Sequence, residues 1–473
     1  MNLKRIVSAS IILIPGLVLC VYLMTLREGH PWGDDFAMYI LHAKSILEGR
    51  PYSDIGFIPN PAAIIAPRAY PPLFPLMMTP VIAWAGINLD ALKLMIALLL
   101  ALTIALFDVA FRDHLNIADR VIWIGLFAFN PVIMTYKDLI LSDVPFLALV
   151  ALFIRLTRLN VDRMRDTGFQ FCRLALIGLV ITAAALTRRV GIVLLPCLLT
   201  ALWLDTRSHP GRHPVLVRML TVGGLGAFAG FLILFPPAFF TSAPDRIFAN
   251  IIAYLQTAGI LMSNGRWLIP SVLLYLIAAV LILIGFISRL RTGISMIEIT
   301  PVALLLPLLF WDRSRTVRYM LPIVPFPFFH PCIGMKCMAQ HRIGSIMRLV
   351  VIALIAGTYA VKLTRPDAPD PGVESRTAKE VIAFIRSNTA PDDVLISAKP
   401  RAFALFTGRA ASNPHRTNEP DALRRYMTSI HARYAVAGRF PDDDLIWGLV
   451  RSAPDRFRTV FSNEEFTVYQ LEE

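Results

Sequence analysis

Long apolar stretches separated by short polar loops recur along most of the chain, from residue 6 to residue 361. An α-helix needs about 20 mostly apolar residues to cross a bilayer, and these stretches approach that length. The 473 residues are 56% hydrophobic and only 17% charged, with a mean hydropathy of +0.60, which excludes an ordinary soluble domain. The pattern predicts an all-α fold, a polytopic transmembrane helical bundle with about 11 spans.

Basic residues lie mostly in loops between the apolar stretches and account for much of the net charge of +13. Basic charge in such loops meets anionic membrane lipid, so the excess does not indicate nucleic-acid binding. Lys4 and Arg5 precede the first apolar stretch, residues 6–26, which has no convincing small-residue cleavage site. We therefore expect an uncleaved first span with a cytoplasmic N-terminus.

Residues 71–85 form a short apolar segment with prolines at positions 71, 72, 75 and 80. If this segment crossed fully, the basic loop at 112–120 would lie outside and every later loop would be inverted. We therefore expect a shallow or re-entrant helix. This topology puts residues 27–70 and the C-terminus on the extracytoplasmic side of an inner (plasma) membrane.

Composition changes after residue 363, where a linker rich in Pro and Asp begins. Beyond it, the spacing of apolar residues predicts a helix at 378–387 and strands at 394–398, 434–437 and 466–471. We therefore predict two domains. They are a transmembrane module with its outer loop (1–363) and a small extracytoplasmic α/β domain (364–473).

Cysteine and histidine positions indicate neither a disulfide framework nor a zinc site. The cysteines lie in or beside apolar stretches, and only Cys332 and Cys337, near the end of a span, are closely spaced; the others are Cys20, Cys172 and Cys197. His30 and His42 are close in sequence to the acids described next, but lone histidines on a helix are more often solvated or packed than metal ligands.

Two adjacent carboxylates, Asp34 and Asp35, follow the first span in the predicted outer loop. The apolar residues after them fit a helix that lies on the bilayer, with the acids at its start. One interpretation is a chemical role at the membrane surface; the other is a cap and a first-turn acid that meet the helix dipole. Asp143 precedes another apolar run, and the same two interpretations apply to it.

Arginines recur on the predicted outer side of the membrane, where positive loops are unusual. The candidates for binding an anion are Arg188, Arg189, Arg313, Arg315 and Arg318, with Tyr319 beside the last of them. A guanidinium fork matches the geometry of a phosphate. The alternative is that these residues anchor the ends of spans at the lipid headgroups.

An ordered series of short motifs runs through the membrane region. It comprises Trp32, Asp34, Asp35, Tyr39, Ala43, Gly49 and Pro51, then Tyr70, Pro71, Pro72 and Leu73, then Leu141, Ser142, Asp143, Pro145 and Phe146. The series resembles the integral-membrane glycosyltransferases of the GT-C fold. Among them, bacterial relatives of protein O-mannosyltransferases and of the lipid A aminoarabinose transferase look most similar. Thr407, Gly408 and Arg409 in the tail also look like the tails of these bacterial relatives.

The resemblance implies transfer of a sugar from a polyprenyl-phosphate donor on the outer side of the membrane. The family's acid just past the first span acts as general base or orients the acceptor, and Asp34 occupies that place. Asp35 stands where the family commonly has Glu or Asp, and Asp143 matches an acid near the outer end of a later span.

The basic positions of the family map onto Arg188 or Arg189, and onto Arg318 with Tyr319. The chain departs from the aminoarabinose branch at Tyr70, because the Lys-Pro that precedes the shallow helix there is missing. The sugar and the acceptor therefore stay open.

Sugar transfer from a phosphate needs a base for the acceptor proton and positive groups for the departing phosphate, and the chain offers both. We expect inversion at the anomeric carbon with Asp34 as base, and a lipid, glycan or protein as acceptor. A divalent metal ion bridging Asp34 or Asp35 with Asp143 is a further option, because hard ions favour oxygen ligands.

Three other functions compete with this prediction. The main rival is a transporter or lipid flippase. Transporters tend to carry charges near the membrane midplane and inverted repeats, whereas here the notable acids cluster at one face and no repeat is evident. A catalytically dead scaffold is the second. A ligase that uses a polyprenyl-diphosphate donor is the third, and it would need more positive charge at its phosphate site.

Overall fold

A computed structural model describes residues 15–62, 67–157, 167–208, 243–262, 268–310, 317–338, 342–364, 371–414 and 420–472. The chain forms two compact units. The first unit comprises Met1–Thr25, Met95–Lys137 and Ser142–Asp367. The second unit comprises Leu26–Leu94, Asp138–Leu141 and Ala368–Glu473.

Helices dominate the described residues up to position 364. In chain order they begin with α1 (Pro15–Met24), α2 (Asp34–Leu47), α3 (Leu73–Ala85), α4 (Leu89–Phe111), α5 (Ile117–Ala128), α6 (Pro131–Tyr136), α7 (Asp143–Thr157) and α8 (Thr167–Thr187). After a 3-10 helix at Arg189–Val193 come α9 (Leu194–Ser208), α10 (Ala243–Met262), α11 (Leu268–Thr292), α12 (Met296–Leu309), α13 (Val317–Met320), α14 (Pro325–Met338) and α15 (Arg342–Thr364). One short strand, β1 (Phe57–Ile58), lies between α2 and α3.

Two stretches within the described residues are long and apolar enough to cross a bilayer by themselves. They are Leu89–Phe111, which is α4, and Leu274–Thr292, which belongs to α11. Other apolar helices, such as Met296–Leu309, are shorter than 18 residues. The total of about 11 spans therefore stays a prediction.

Helix α3 covers most of the segment that we predicted to be shallow or re-entrant. Its 13 residues correspond to roughly 20 Å of helix, at 1.5 Å per residue. This is shorter than the apolar core of a bilayer, which is about 30 Å thick. How the segment meets the membrane stays a prediction.

Glycines allow α11 and α14 of the first unit to pack backbone against backbone. A Cβ at Gly285 would lie 1.9 Å from the carbonyl oxygen of His330, and one at Gly334 would lie 2.4 Å from that of Leu281. Small residues let membrane helices approach this closely.

The second unit contains a six-stranded sheet with helices from the tail. The helices are α16 (Arg376–Asn388), α17 (Pro400–Thr407), α18 (Pro420–Ser429) and α19 (Asp444–Ser452). The tail strands are β2 (Val394–Ser397), β3 (Ala410–Ser412), β4 (Ala432–Ala437), β5 (Phe457–Ser462) and β6 (Thr467–Leu471). The predicted helix at 378–387 and the three predicted strands are all present.

The strand order of the sheet is β1-β3-β2-β4-β6-β5, with the first four strands parallel and β6 antiparallel to both of its neighbours. Alternating apolar residues of these strands bury one face against α18 and α19. The core there includes Ile396, Met427, Ala435, Ile446 and Leu449. Burial of this apolar surface is what holds the tail together.

Strand β1 belongs to the loop after α2, yet it pairs with β3 of the tail through Phe57 and Ala411. The tail therefore shares its sheet with a segment that we had grouped with the transmembrane module. The physical reason is that β3 has only three residues, and β1 covers the edge that would otherwise stay unpaired.

The prediction that α2 lies on the bilayer surface is wrong. Residues 36–43 of this helix are buried on every side of the helix within the second unit, with Met38 and Ile40 fully buried. The apolar spacing marked a helix correctly, but its polar residues Asp34, His42 and Ser45 are buried by protein.

Candidate active site

The acid pair lies in the first turn of α2, in the second unit. The N-cap of the helix is Gly33, and no side chain caps the helix there. Asp34 instead directs its carboxylate to the tail. Its Oδ2 accepts a hydrogen bond of 2.6 Å from Nε of Arg401, and its Oδ1 accepts one of 3.0 Å from the backbone N–H of Ala402.

Arg401 stands between the two carboxylates. Its Nη2 is 3.3 Å from Oδ1 of Asp35. The side chains of Arg401 and Asp34 are 4% and 8% exposed, whereas that of Asp35 is 23% exposed. Burial disfavours the guanidinium charge, but Asp34, Tyr70 and Asp35 together raise the pKa of Arg401 above its ordinary value. The arginine is therefore a permanent positive charge in a site with two acids.

Tyr70 is hydrogen-bonded to Asp35. Its hydroxyl donates a 2.6 Å hydrogen bond to Oδ1 of Asp35 and accepts one of 3.3 Å from Nη1 of Arg401. Burial, with Asp35 as a second cause, raises the pKa of Tyr70. The phenol keeps its proton and acts as a donor. Its ring stacks on Tyr39 at 4.7 Å, which fixes it against α2.

His42 supports this tyrosine. Its Nε2 accepts the backbone N–H of Tyr70 at 3.3 Å, so its Nδ1, 2.8 Å from the carbonyl oxygen of Tyr52, is assigned as the donor. Burial lowers the pKa of His42, so the neutral ring fits both bonds. The imidazole is packed into the structure. This agrees with the expectation that a lone histidine on a helix is more often solvated or packed than a metal ligand.

Hydrogen bonds of His30 and Lys93 fix the loop before α2. His30 accepts the backbone N–H of Ile140 at its Nε2 (3.1 Å), and burial is the main cause that lowers its pKa to about 4. Lys93 is fully buried and donates to the carbonyl oxygens of Arg27 (2.6 Å) and Gly29 (3.0 Å). These bonds satisfy backbone groups that a buried loop must pair.

A second charged cluster lies in the first unit and is centred on Asp143, the first residue of α7. Asp143 is 1% exposed and forms ion pairs with Arg188 and with Arg318, whose Nε donates to Oδ2 at 3.0 Å. The guanidinium of Arg188 also lies 5.8 Å from the ring centre of Tyr319. A buried carboxylate between two arginines orients both forks.

Gly191 allows Arg188 to reach this cluster. The chain turns directly after α8 into the 3-10 helix, and the Gly191 N–H donates to the carbonyl oxygen of Arg188 at 2.8 Å. A Cβ at Gly191 would lie 2.3 Å from the backbone of Ala184. Only a residue without a side chain fits this reversal.

The structure thus groups most of the predicted site residues into two clusters. Asp34 and Asp35 meet in the second unit; Asp143, Arg188, Arg318 and Tyr319 meet in the first. Arg189 is exposed and outside the cluster. Arg313 and Arg315 lie outside the described residues.

A cluster of metal ligands is absent from the part of the chain that the structure describes. No group of three or more His, Cys, Asp or Glu side chains there could hold a metal ion. Asp34 and Asp35 belong to the second unit and Asp143 to the first.

Sequence reasoning missed Arg401 and the role of Tyr70. Arg401 follows Pro400 at the start of a short helix whose other residues are mostly buried, as Ala402 and Phe403 are. An arginine within such an apolar run is a signal, since a buried arginine needs a partner. The partner itself lies 367 positions away, beyond the reach of any local pattern.

No protein-family model and no curated protein matches the sequence. Solved structures match by fold. One is ArnT from Cupriavidus metallidurans bound to undecaprenyl phosphate, with a TM-score of 0.57 and 13% identity over 98% of each chain.

Two others are structures of the archaeal oligosaccharyltransferase of Archaeoglobus fulgidus. The form tethered to an acceptor peptide has a TM-score of 0.59 at 13% identity, over 98% of this chain and 74% of that one. The complex with an inhibitory peptide and a dolichol-phosphate has a TM-score of 0.57 at 13% identity, over 93% and 70%. The chain shares the fold of these proteins, and its resemblance to GT-C relatives is confirmed at the level of fold.

Proposed function

We propose that this chain is a membrane glycosyltransferase that moves a sugar from a polyprenyl-phosphate donor to a lipid, glycan or protein acceptor. The observation that carries the proposal is the fold shared over 98% of the chain with ArnT in a structure bound to undecaprenyl phosphate. The oligosaccharyltransferase structures with a dolichol-phosphate and with an acceptor peptide support the same kinds of donor and acceptor. The ordered motifs in the sequence add independent support.

In the proposed reaction, a hydroxyl or other nucleophile of the acceptor attacks the anomeric carbon of the sugar. The bond from that carbon to the phosphate oxygen breaks, and its electron pair leaves with the polyprenyl phosphate. The proton of the acceptor passes to a carboxylate. Direct displacement of this kind inverts the anomeric centre, for a hexose or a pentose alike.

Asp34 is the proposed base and Asp35 its partner. Arg401 and Ala402 each donate to one oxygen of Asp34, and each oxygen keeps a second lone pair that can take the acceptor proton. Asp35 has the more exposed side chain and is the acid that an acceptor reaches first. Single variants of the two acids separate these roles.

Arg188 and Arg318 are proposed to bind the donor phosphate, with Tyr319 beside them. Asp143 contributes one negative charge against their two positive charges, so the cluster keeps an attraction for an anion. Guanidinium groups suit phosphate oxygens because of their planar fork. Arg189 remains a weaker candidate because it is exposed.

The proposed setting is the inner (plasma) membrane, with multiple crossings, a cytoplasmic N-terminus and the tail on the extracytoplasmic face. The placement of basic loops in the sequence supports this orientation. The apolar walls of the helical bundle would hold the polyprenyl chain of the donor.

The experiment that tests the proposal measures sugar transfer by purified protein in lipid vesicles. A panel of radiolabelled polyprenyl-phosphate sugars is offered with membrane extract as acceptor source, with and without a chelator of divalent ions. We expect transfer by the wild type and at least about a 100-fold loss in Asp34→Asn, the usual scale for removing a general base. Asp54→Asn, at an exposed surface carboxylate, is the matched control and keeps normal activity.

Asp35→Asn is tested beside it. If Asp34 is the base, Asp35→Asn retains measurable transfer; if only Asp35→Asn loses it, the base is Asp35. Normal turnover by Asp34→Asn would exclude Asp34 as base. Absence of transfer with every donor, together with movement of labelled donor between leaflets, would support the flippase alternative instead.

A further inference from the structure

We propose that Arg401, supplied by the C-terminal tail, is a positioning residue of the acid pair, so that the tail is part of the catalytic unit. This inference rests on the proposed function. It assigns a chemical task to a segment in which the sequence predicted no catalytic or binding residue.

The first support is the geometry of the guanidinium. Three of its bonds fix three different groups: Nε binds Asp34 at 2.6 Å, Nη2 lies 3.3 Å from Asp35, and Nη1 donates to Tyr70 at 3.3 Å. A planar fork that satisfies all three at once sets the carboxylates relative to each other. A surface ion pair would not do this, because its side chains are mobile.

The second support is burial. The Arg401 side chain is 4% exposed and packs over the ring of Phe57, with its carbon Cζ 5.7 Å from the ring centre. A charge buried to this extent is tolerated only with a partner, and removal of one partner leaves the other uncompensated. The acids and the arginine therefore depend on each other.

The third support is that several hydrogen bonds, independent of one another, attach the tail that carries Arg401 to the segments around α2. The N–H of Val373 donates to the carbonyl oxygen of His30 at 3.0 Å, just before the acids. Ser412 donates to the carbonyl oxygen of Ile58 at 2.7 Å, and Asn60 donates to that of Asn413 at 3.1 Å. These bonds tie the segments before and after α2, the helix that carries the acids, to the tail.

The consequence for the reaction follows from charge. The titratable or charged groups that face Arg401 among the described residues are Asp34, Asp35, Tyr70 and His42. Burial lowers the pKa of His42, and burial together with Asp35 raises that of Tyr70, so both are neutral near pH 7. Arg401 is thus the one positive charge among these groups, and it faces both adjacent acids.

The test compares Arg401→Gln and Arg401→Lys with Arg409→Gln and Arg409→Lys. Arg409 is a matched control because, among the described residues, its side chain donates to groups of the tail, such as the carbonyl oxygens of Arg386 and Thr389. The measured quantity is kcat/KM for sugar transfer as a function of pH, with melting temperature as a check on folding.

We expect Arg401→Gln to lose about 100-fold near pH 7 and to move the acidic limb of the pH profile upward by about one pH unit or more. Arg401→Lys keeps the charge but not the fork, so its rate falls while its acidic limb stays near that of the wild type. Both Arg409 variants keep the wild-type limb.

A profile for Arg401→Gln that is parallel to the wild type, with a loss no greater than in Arg409→Gln, would overturn the proposal. If Arg401→Gln does not fold, Arg401→Lys decides, and wild-type turnover by a folded Arg401→Lys overturns it. Failure of the proposed function looks different, because the wild type then transfers no sugar at any pH.

Discussion

At the scale of single residues, position in the sequence and structural role differ most for Asp34. Its place at the start of α2 fits an N-cap, but Gly33 occupies that position and the carboxylate binds Arg401. Asp143 likewise starts a helix and is bound by two arginines instead of standing only as a cap. Long-range pairing, not local capping, distinguishes both acids from ordinary first-turn acids.

Arg188 and Arg189 offer a matched pair at adjacent positions. Arg188 binds the buried Asp143, whereas Arg189 is exposed. If the cluster binds the donor phosphate, Arg188→Gln lowers kcat/KM for the donor by roughly 100-fold, the scale of losing one stabilising donor. Arg189→Gln stays within about twofold, because an exposed charge contributes little.

Transfer kinetics at varied donor concentration measure this effect, with melting temperatures in detergent as the folding control. Equal losses in the two variants would favour a general role of basic charge at the headgroups. An unchanged kcat/KM for the donor in a folded Arg188→Gln would exclude Arg188 from the phosphate site.

His30 makes the stability of the second unit depend on pH. Burial, the largest cause, lowers the pKa of His30 to about 4 from 6.5. Between these two values the unfolded chain binds a proton that the folded chain does not, so unfolding becomes easier as pH falls through that window. The full shift corresponds to a loss on the order of 3 kcal/mol, and His42 acts in the same direction.

Thermal unfolding monitored at a tail tryptophan, Trp447, between neutral and acidic pH measures this loss. His30→Gln keeps polar atoms near the same partners but does not titrate, so its unfolding temperature falls less on acidification. An identical pH slope in wild type and variant would show that His30 does not control the effect.

At the scale of elements, close approach of helices depends on a few glycines. Gly285 and Gly334 bring α11 and α14 into backbone contact, and no side chain at Gly285 fits without moving a helix. The sequence does not reveal which glycine lies at a helix crossing, because that depends on the partner helix.

Gly285→Ala therefore destabilises the first unit. The new methyl group would overlap the carbonyl of His330, and such overpacking costs about 1–3 kcal/mol or more. Gly357→Ala in α15 is the control, because a Cβ there meets nothing within 4 Å. Alanine in an open helix position is neutral or stabilises by up to about 1 kcal/mol.

The melting temperatures of the two variants in detergent make the comparison. A fall in Gly285→Ala with no fall in Gly357→Ala agrees with the crossing. Equal melting temperatures would mean that α11 and α14 separate at little cost.

At the scale of the whole molecule, regular elements could be predicted and their partnerships could not. Amphipathic spacing located α16, and alternation located β2, β4 and β6, since these patterns are local. Strand β1 has only two residues and forms because β3 offers an edge, which no alternation in residues 57–58 signals.

The candidate site divides in the same way. The acids and three of the cluster residues, Arg188, Arg318 and Tyr319, could be identified from motif order and residue chemistry. Arg401 could not, because its role arises only when the tail forms a buried ion pair with the start of α2 and shares a sheet with β1.

The most direct test of the central claim is the fate of labelled sugar on a polyprenyl phosphate, incubated with purified wild-type protein in vesicles containing membrane extract. The account predicts that label moves from the lipid donor to an acceptor, with free polyprenyl phosphate released in equal amount. It also predicts that Asp34→Asn releases neither product. Donors that all remain intact with folded wild-type protein would contradict the account.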